Sequence, residues 1–285
     1  MIAHAVTGRV AIVTGGLRGL GKAMTMGLAR DGHFVLAIGH IADDVRQMYT
    51  DTNDTPVAKH VVPLVADLRE PVECDRVVKA TMDRFGAVDI LINNAGLTFT
   101  YIWPDLYRRA TLPKFWEATD EVIQDVMDTN YVAADQMARR VAPRMVEQGW
   151  GRIVNITTKL DTMNRATSSA YGASKAALEM ATVIWAGNVV GTGLTINIVN
   201  PGDGANTPGI AEEMRAASSA GRITRLVEPE QMVPPLLWLI SAAADKVNGY
   251  RFDANTWDPT LQPAEAARRA GRPAGFQLQP SGGPM

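Results

Sequence analysis

The sequence predicts an α/β protein, a doubly wound parallel sheet with helices on both faces, in one domain. Three observations predict it. Short apolar runs alternate with longer helical patterns along most of the chain, which is the mark of successive strand–helix units and a parallel sheet. Several of the runs are apolar on both faces, as strands covered by helices on each side should be. The first run leads straight into a glycine-rich turn and a helix.

The strands are expected at RVAIVTG (9–15), HFVLAIG (33–39), HVVPLVAD (60–67), VDILINNAG (88–96), RIVNIT (152–157) and LTINIVNPG (194–202), with a weaker one at YRFDA (250–254). Helices are expected at about 20–31, 71–85, 119–148, 171–189 and 229–243. Residues 180–202 carry no charge, but Asn188, Asn197 and Asn200 and the break at 191–193 argue against a membrane span. A buried helix followed by a buried strand explains the stretch better. The folded domain is expected over residues 1–257. From Asp258 the chain turns rich in Pro, Gly, Ala and Arg, and 258–285 reads as an appended tail, mobile when alone.

Composition excludes some classes. A formal net charge of −2 gives no broad basic field for nucleic acid or anionic lipid. The one cysteine, Cys74, cannot form an internal disulfide, which suits a reducing compartment and a cytoplasmic location. The start shows no basic segment followed by an apolar core, so no signal peptide is expected. No metal site is expected.

Gly15, Gly19 and Gly21 sit at the first strand-to-helix turn. Glycine permits a tight turn and leaves no Cβ between backbone and ligand. The helix behind it offers free N–H groups and a positive dipole end to a phosphate. A doubly wound fold places its nucleotide here. An acid at the end of the second strand usually binds the ribose hydroxyls and selects NAD. That place falls on Gly39, followed by His40. Without the carboxylate a 2′-phosphate meets no repulsion. Arg18 in the glycine loop supplies positive charge and His40 a hydrogen bond, so NADP is expected over NAD.

Tyr171 and Lys175 stand four apart among small residues, on one face of a helix. Reduction of a ketone by hydride leaves an oxyanion that must take a proton. A tyrosine can give it, but at a reference pKa near 10 it is a poor base for the reverse reaction. A neighbouring ammonium, or an oxidised nicotinamide ring, favours the phenolate and lowers that pKa. Alone the pair would read as a partly buried tyrosine and a surface lysine; with the upstream motifs, Tyr171 reads as general acid/base and Lys175 as its electrostatic partner.

Together the motifs resemble the short-chain dehydrogenase/reductase family. They are Thr14-Gly15, Gly19-Leu20-Gly21, Asp67, Asn93-Asn94-Ala95-Gly96, Asn130, Tyr171 with Lys175, and Pro201-Gly202. The resemblance spans residues 9 to about 257 and is to the single-domain members with a TGxxxGxG loop. It implies a Rossmann-type fold and hydride transfer between NADP(H) and a carbonyl or secondary alcohol. It implies that Asp67 and Leu68 border the adenine and that Asn93 to Gly96, including Asn94, Ala95 and Gly96, line the cofactor cleft. Lys175 would bind the cofactor ribose, and Asn130 would support a proton-relaying water. The family's serine lies thirteen residues before the tyrosine; here that place is Thr158, with Thr157 the alternative if the register slips. After Pro201-Gly202 the family's nicotinamide-contacting threonine falls on Asn206, or on Thr207 with a one-residue bulge, and Thr207 is preferred. The resemblance also implies a homo-oligomer, tetramer or dimer. A lyase or isomerase on the same fold, or a nucleotide-binding protein without turnover, remains the alternative.

The segment from Gly96 to Asn130 holds thirty-three intervening residues, roughly ten more than relatives carry. Although only 6% of the chain is aromatic, Phe99, Tyr101, Trp103, Tyr107, Phe115 and Trp116 crowd into residues 97–116. It leaves the carboxyl end of the fourth strand, where the ligand crevice belongs. It is expected to wall or cover the substrate site and to favour a bulky apolar or cyclic carbonyl compound, unless it serves only to pack the insertion.

Overall fold

Alternation within the strands builds two cores. The computed structural model describes residues 8–276. Its sheet contains β1 (Val10–Thr14), β2 (Phe34–Gly39), β3 (Val61–Val65), β4 (Ile90–Asn93), β5 (Gly151–Ile156), β6 (Leu194–Asn200), β7 (Tyr250–Asp253) and β8 (Gly271–Pro273). Along β1 and β4, Ala11, Val13, Ile90 and Ile92 enter one apolar cluster. Ile12 and Leu91 enter the other, because successive side chains point to opposite faces.

The helices are α1 (Gly19–Arg30), α2 (Ala42–Thr52), α3 (Pro71–Phe85), a short α4 (Phe99–Ile102), α5 (Asp120–Met127), α6 (Ala133–Glu147), a short α7 (Leu160–Met163), α8 (Tyr171–Asn188), α9 (Glu212–Ser219), α10 (Val233–Leu239) and α11 (Pro263–Ala270). Met24 and Leu28 of α1 and Leu236 and Leu239 of α10 cover the first face. Cys74 and Val77 of α3, with Met137 and Val141 of α6, cover the second.

The strand order is β3-β2-β1-β4-β5-β6-β7-β8. All neighbours are parallel except β8, which is antiparallel to β7. The chain moves outward from β1 to β3 and then returns to place β4 on the other side of β1. This reversal opens a crevice at the carboxyl ends of β1 and β4, where the glycine turn and the Asn94–Gly96 segment emerge.

Three expectations change. Residues 119–148 are not one helix: α5 and α6 are joined by a π-helical turn, Asp128–Val132, that contains Asn130. Two polar helices, α2 and α9, escape the apolar pattern because α2 buries only Met48 and Thr52 and α9 buries nothing. The stretch after Asp258 is not simply a tail. Ala266, Ala267 and Ala270 of α11 are buried in the first core, β8 extends the sheet, and Arg272 pairs with Asp253 at 2.5 Å. Alanine seats a helix closely on the sheet while Arg268 and Arg269 stay exposed, so a composition that suggested disorder makes a packed edge. The remainder of the expected tail, 277–285, lies outside the described residues.

Candidate active site

At the phosphate end, Gly15 and Gly19 have φ of +60° and +53°, which favours glycine. A Cβ on Gly21 would meet the Gly15 carbonyl oxygen at 2.0 Å. Thr14 laces this turn to the β4 loop. Its hydroxyl accepts from the N–H of Asn94 at 2.9 Å and of Ala95 at 3.0 Å. The Asn94 amide donates to the carbonyls of Thr14 and Gly15, each at 3.0 Å. The result is a groove of about 440 Å³ lined by Gly15, Arg18, Gly19, Leu20, Gly39 and His40. Its glycine floor and the start of α1 suit a ligand that brings phosphate against backbone, so a dinucleotide fits the residues present.

At the far end, Asp67 and Leu68 line a smaller recess together with Gly39, His40, Ala95 and Tyr101. Arg69 forks onto Asp67, with Nη2 donating at 2.6 Å and Nε at 3.0 Å. These bonds hold the Asp67 carboxyl below the usual range. Arg69 also reaches Asp125 at 2.5 Å, and the Tyr101 hydroxyl donates to the same carboxylate. Two contacts here were not visible in the sequence. Arg18 lies 3.7 Å from Asp44 of α2. A Cβ on Gly39 would approach the Leu17 Cδ1 at 2.7 Å.

The chemical end begins with a bend. Ala170 has φ +60° and ψ −58°, and the Tyr171 N–H donates back to the Ser169 carbonyl at 2.8 Å. This is a γ-turn of the rare positive-φ kind, and it launches α8 with Tyr171 as its first residue. Burial pushes the Tyr171 phenol up to about 12, while a hydrogen bond with Thr158 pulls the other way. Burial brings the Lys175 ammonium down to about 8. In this structure burial, rather than Lys175, dominates the Tyr171 shift, in the direction opposite to the one expected. The Lys175 Nζ donates to the Ile156 carbonyl at 2.9 Å and would lie 3.4 Å from a Cβ on Gly96.

The two threonines separate. Thr158 lines the same pocket as Tyr171 and opposes the upward shift of its phenol, whereas the Thr157 hydroxyl donates to the buried Glu179 at 3.0 Å. Beneath them Arg251 pairs with Glu179 at 2.9 Å and donates to the Thr158 carbonyl at 2.9 Å. Nothing in the sequence marked this pair, since a strand arginine and a helix glutamate look like surface residues. Asn130 is buried; its side chain accepts from the Leu97 N–H at 2.7 Å and donates to Ser174 at 2.9 Å. Asn206 turns away, its amide on Glu228 at 3.0 Å. Thr207 faces the glycine loop, 3.3 Å from where a Cβ on Gly19 would lie. Pro201 lines the same pocket as Tyr171. Gly202, with φ +83°, donates its N–H to Asn200 at 2.8 Å.

Known proteins resemble this chain over most of its length. The family model described as short chain dehydrogenase matches residues 9–217. The chain belongs to the short-chain dehydrogenase family. Members of this family are NAD(P)-dependent oxidoreductases acting on carbonyl or hydroxyl groups. The 3-oxoacyl-[acyl-carrier-protein] reductase FabG of Vibrio cholerae is 31% identical, over 87% of this chain and 96% of its own. The 2-dehydro-3-deoxy-D-gluconate 5-dehydrogenase of Escherichia coli is 32% identical, over 87% and 94%. A crystal structure of a variant actinorhodin polyketide ketoreductase with NADPH superposes with a TM-score of 0.71 at 26% identity, covering 85% of this chain and 93% of that one.

In this short-chain dehydrogenase the aromatic segment divides its work. The Phe99 ring lies 4.7 Å from that of Tyr171, and Tyr107 lines the same pocket. Ile102 and Trp103 are buried with Val126 and Ala170 and anchor the segment. Tyr101 turns to the nucleotide groove. Phe115 and Trp116 are exposed. The hydroxyls of Thr98 and Thr100 donate to the Gly209 carbonyl at 2.7 and 3.0 Å, tying this segment to the loop after β6.

Proposed function

We propose that the protein transfers hydride reversibly between NADP(H) and a carbonyl or secondary alcohol substrate with an apolar or cyclic body. One observation carries this reading. Tyr171, Thr158 and Lys175 meet in a pocket of about 450 Å³ that shares Leu20, Asn94, Gly96, Thr98 and Thr207 with the nucleotide groove. Reaction centre and nucleotide site are therefore two ends of one crevice.

A dinucleotide held in the groove would supply the hydride for the carbonyl carbon. The chain's own groups handle the oxygen. The Tyr171 hydroxyl gives its proton to the carbonyl oxygen as the new C–H bond forms, and takes it back in the reverse direction. Thr158 donates a hydrogen bond to the same oxygen and orients the phenol. The Lys175 ammonium stabilises the phenolate left behind and, beside Gly96, stands where a ribose hydroxyl can accept from it. The Asn130 side chain is spent on Leu97 and Ser174, so its part is to hold the β4 loop, and any water relay falls to the π-helical backbone around it. Asp67, Leu68, Ala95 and His40 border the adenosine half; Pro201, Gly202 and Thr207 border the nicotinamide half.

The NADP preference rests on the missing acid at Gly39 and on Arg18 and His40 beside it. Asp44 competes for Arg18, so the selectivity is moderate. A kcat/KM higher for NADPH than for NADH is expected; a clear advantage for NADH would contradict it. The substrate body follows from Phe99, Tyr107, Ile210, Met214 and Leu226 around the pocket. We include a homo-oligomer, formed through α6 and α8 and measurable by light scattering. Val146 and Ile184 are exposed on these helices. A cytoplasmic location belongs to the same proposal. Among the described residues no helix is long and apolar enough to cross a membrane.

The test is oxidation of NADPH in the presence of a panel of cyclic and aryl ketones. Consumption of cofactor with formation of the matching alcohol is expected. Binding of NADPH without reduction of any panel member would contradict the proposal.

A further inference from the structure

The reaction pocket carries more positive charge than its chemistry uses. Four cations line it: Lys159, Arg165, Lys175 and Arg225. One carboxylate, Asp203, lines it as well, and Lys159 takes that carboxylate at 2.5 Å. Lys175 is committed to the reaction centre. Arg165 and Arg225 form no ion pair and no side-chain hydrogen bond to the described residues. Arg9, Arg69, Arg76, Arg140, Arg251 and Arg272, by contrast, all hold carboxylates. The two arginines also lie apart from the glycine turn that suits a phosphate. The groove that holds the glycine turn includes neither of them. They come from different elements, Arg165 from the turn after α7 and Arg225 from the loop after α9, on opposite sides in sequence of the Tyr171 helix.

A guanidinium presents a rigid fork of donors that matches a carboxylate. Two such forks in the lining of one pocket, with Tyr107, Ile223 and Leu226 in the same lining, combine apolar and cationic surface in one site. We infer that the substrate is a keto acid or hydroxy acid. Its apolar body lies against the aromatic insertion, and its carboxylate is held by Arg165 and Arg225 while its carbonyl faces Tyr171. The inference rests on the carbonyl-reduction reading and specifies its substrate class. In a chain whose net charge is −2, a cationic pocket also draws an anion in locally rather than through a general field.

The experiment measures NADPH-dependent reduction of para-acetylbenzoate and oxocyclohexanecarboxylate, each against its methyl ester, with wild type, Arg165→Gln, Arg225→Gln and the double variant. A hydrogen bond to a charged group contributes enough to change kcat/KM by roughly tenfold to a hundredfold. The wild type is expected to favour each acid over its ester by about that factor, mostly in KM. The single variants should lower the acid-to-ester ratio and the double variant should bring it near one. Added salt should erode the ratio in wild type only. Esters reduced as well as acids by wild type, or a ratio that the variants do not move, would overturn the inference and leave carbonyl reduction standing. If NADPH binds and neither form of either ketone is reduced, the carbonyl-reduction reading falls and the inference with it.

Discussion

Ala170, with φ +60°, is held in a backbone conformation that costs on the order of 1–3 kcal/mol for a residue with a Cβ, immediately before the phenol proposed to handle the proton. Glycine relieves that strain, though it adds unfolded-chain entropy of about 0.4–1 kcal/mol. Ala170→Gly is therefore expected to hold or raise Tm while loosening Tyr171 and lowering kcat; a Tm lower by several degrees would contradict the strain argument. The pH profile follows from the two buried groups. With its phenol at about 12, Tyr171 stays protonated and ready to donate at neutral and mildly alkaline pH. Lys175, brought down to about 8, is charged below that pH and neutral above it. Reduction should consequently fall as pH rises through about 8, and Lys175→Met should be slow with that limb gone. A wild-type profile flat to pH 10 would contradict this. Thr158→Val deletes the hydroxyl and keeps the shape, so kcat should drop strongly, while Thr158→Ser stays active. The sequence alone favoured Thr158 by spacing and kept Thr157 as the alternative, because adjacent strand-end residues differ only in the side they face. The structure separates them by giving Thr157 to Glu179.

At the level of elements, the first and fourth strands with their loops were readable because β1 and β4 are apolar on both faces and run into glycine or asparagine. The π-helical turn at Asn130 was not, since one added residue in a helical turn leaves the apolar pattern of 119–148 nearly unchanged. The C-terminal edge was hidden for another reason: its apolar face is alanine, which weighs little in a hydropathy pattern but packs closely. That edge is tied to the reaction centre. The Gly275 N–H donates to Glu179 at 3.0 Å, and Glu179 in turn meets Thr157 and Arg251. Arg251→Met strands a buried carboxylate and should cost roughly 3–5 kcal/mol in urea unfolding, with Arg251→Met/Glu179→Leu recovering much of it. Equal stability of the single and double variants would contradict a coupled pair. The aromatic insertion should divide by residue. Phe99→Ala should raise KM for large ketones with cofactor affinity nearly intact, and Tyr101→Phe should weaken cofactor binding instead. The reverse pattern in steady-state kinetics would place the two side chains wrongly.

Across the whole molecule, the reversal of strand order between β1 and β4 sets a nucleotide groove and a reaction pocket end to end, with Tyr171 in the pocket and the glycine turn in the groove. Loss of the phenolic oxygen should therefore abolish proton transfer without disturbing the groove. The most direct measurement is NADPH-dependent ketone reduction by Tyr171→Phe alongside NADPH binding by the same variant. Turnover is expected to fall by roughly the 10²–10⁴ typical of a lost general acid, with the dissociation constant for NADPH close to wild type. Unchanged turnover on any substrate that the wild type reduces would contradict the account.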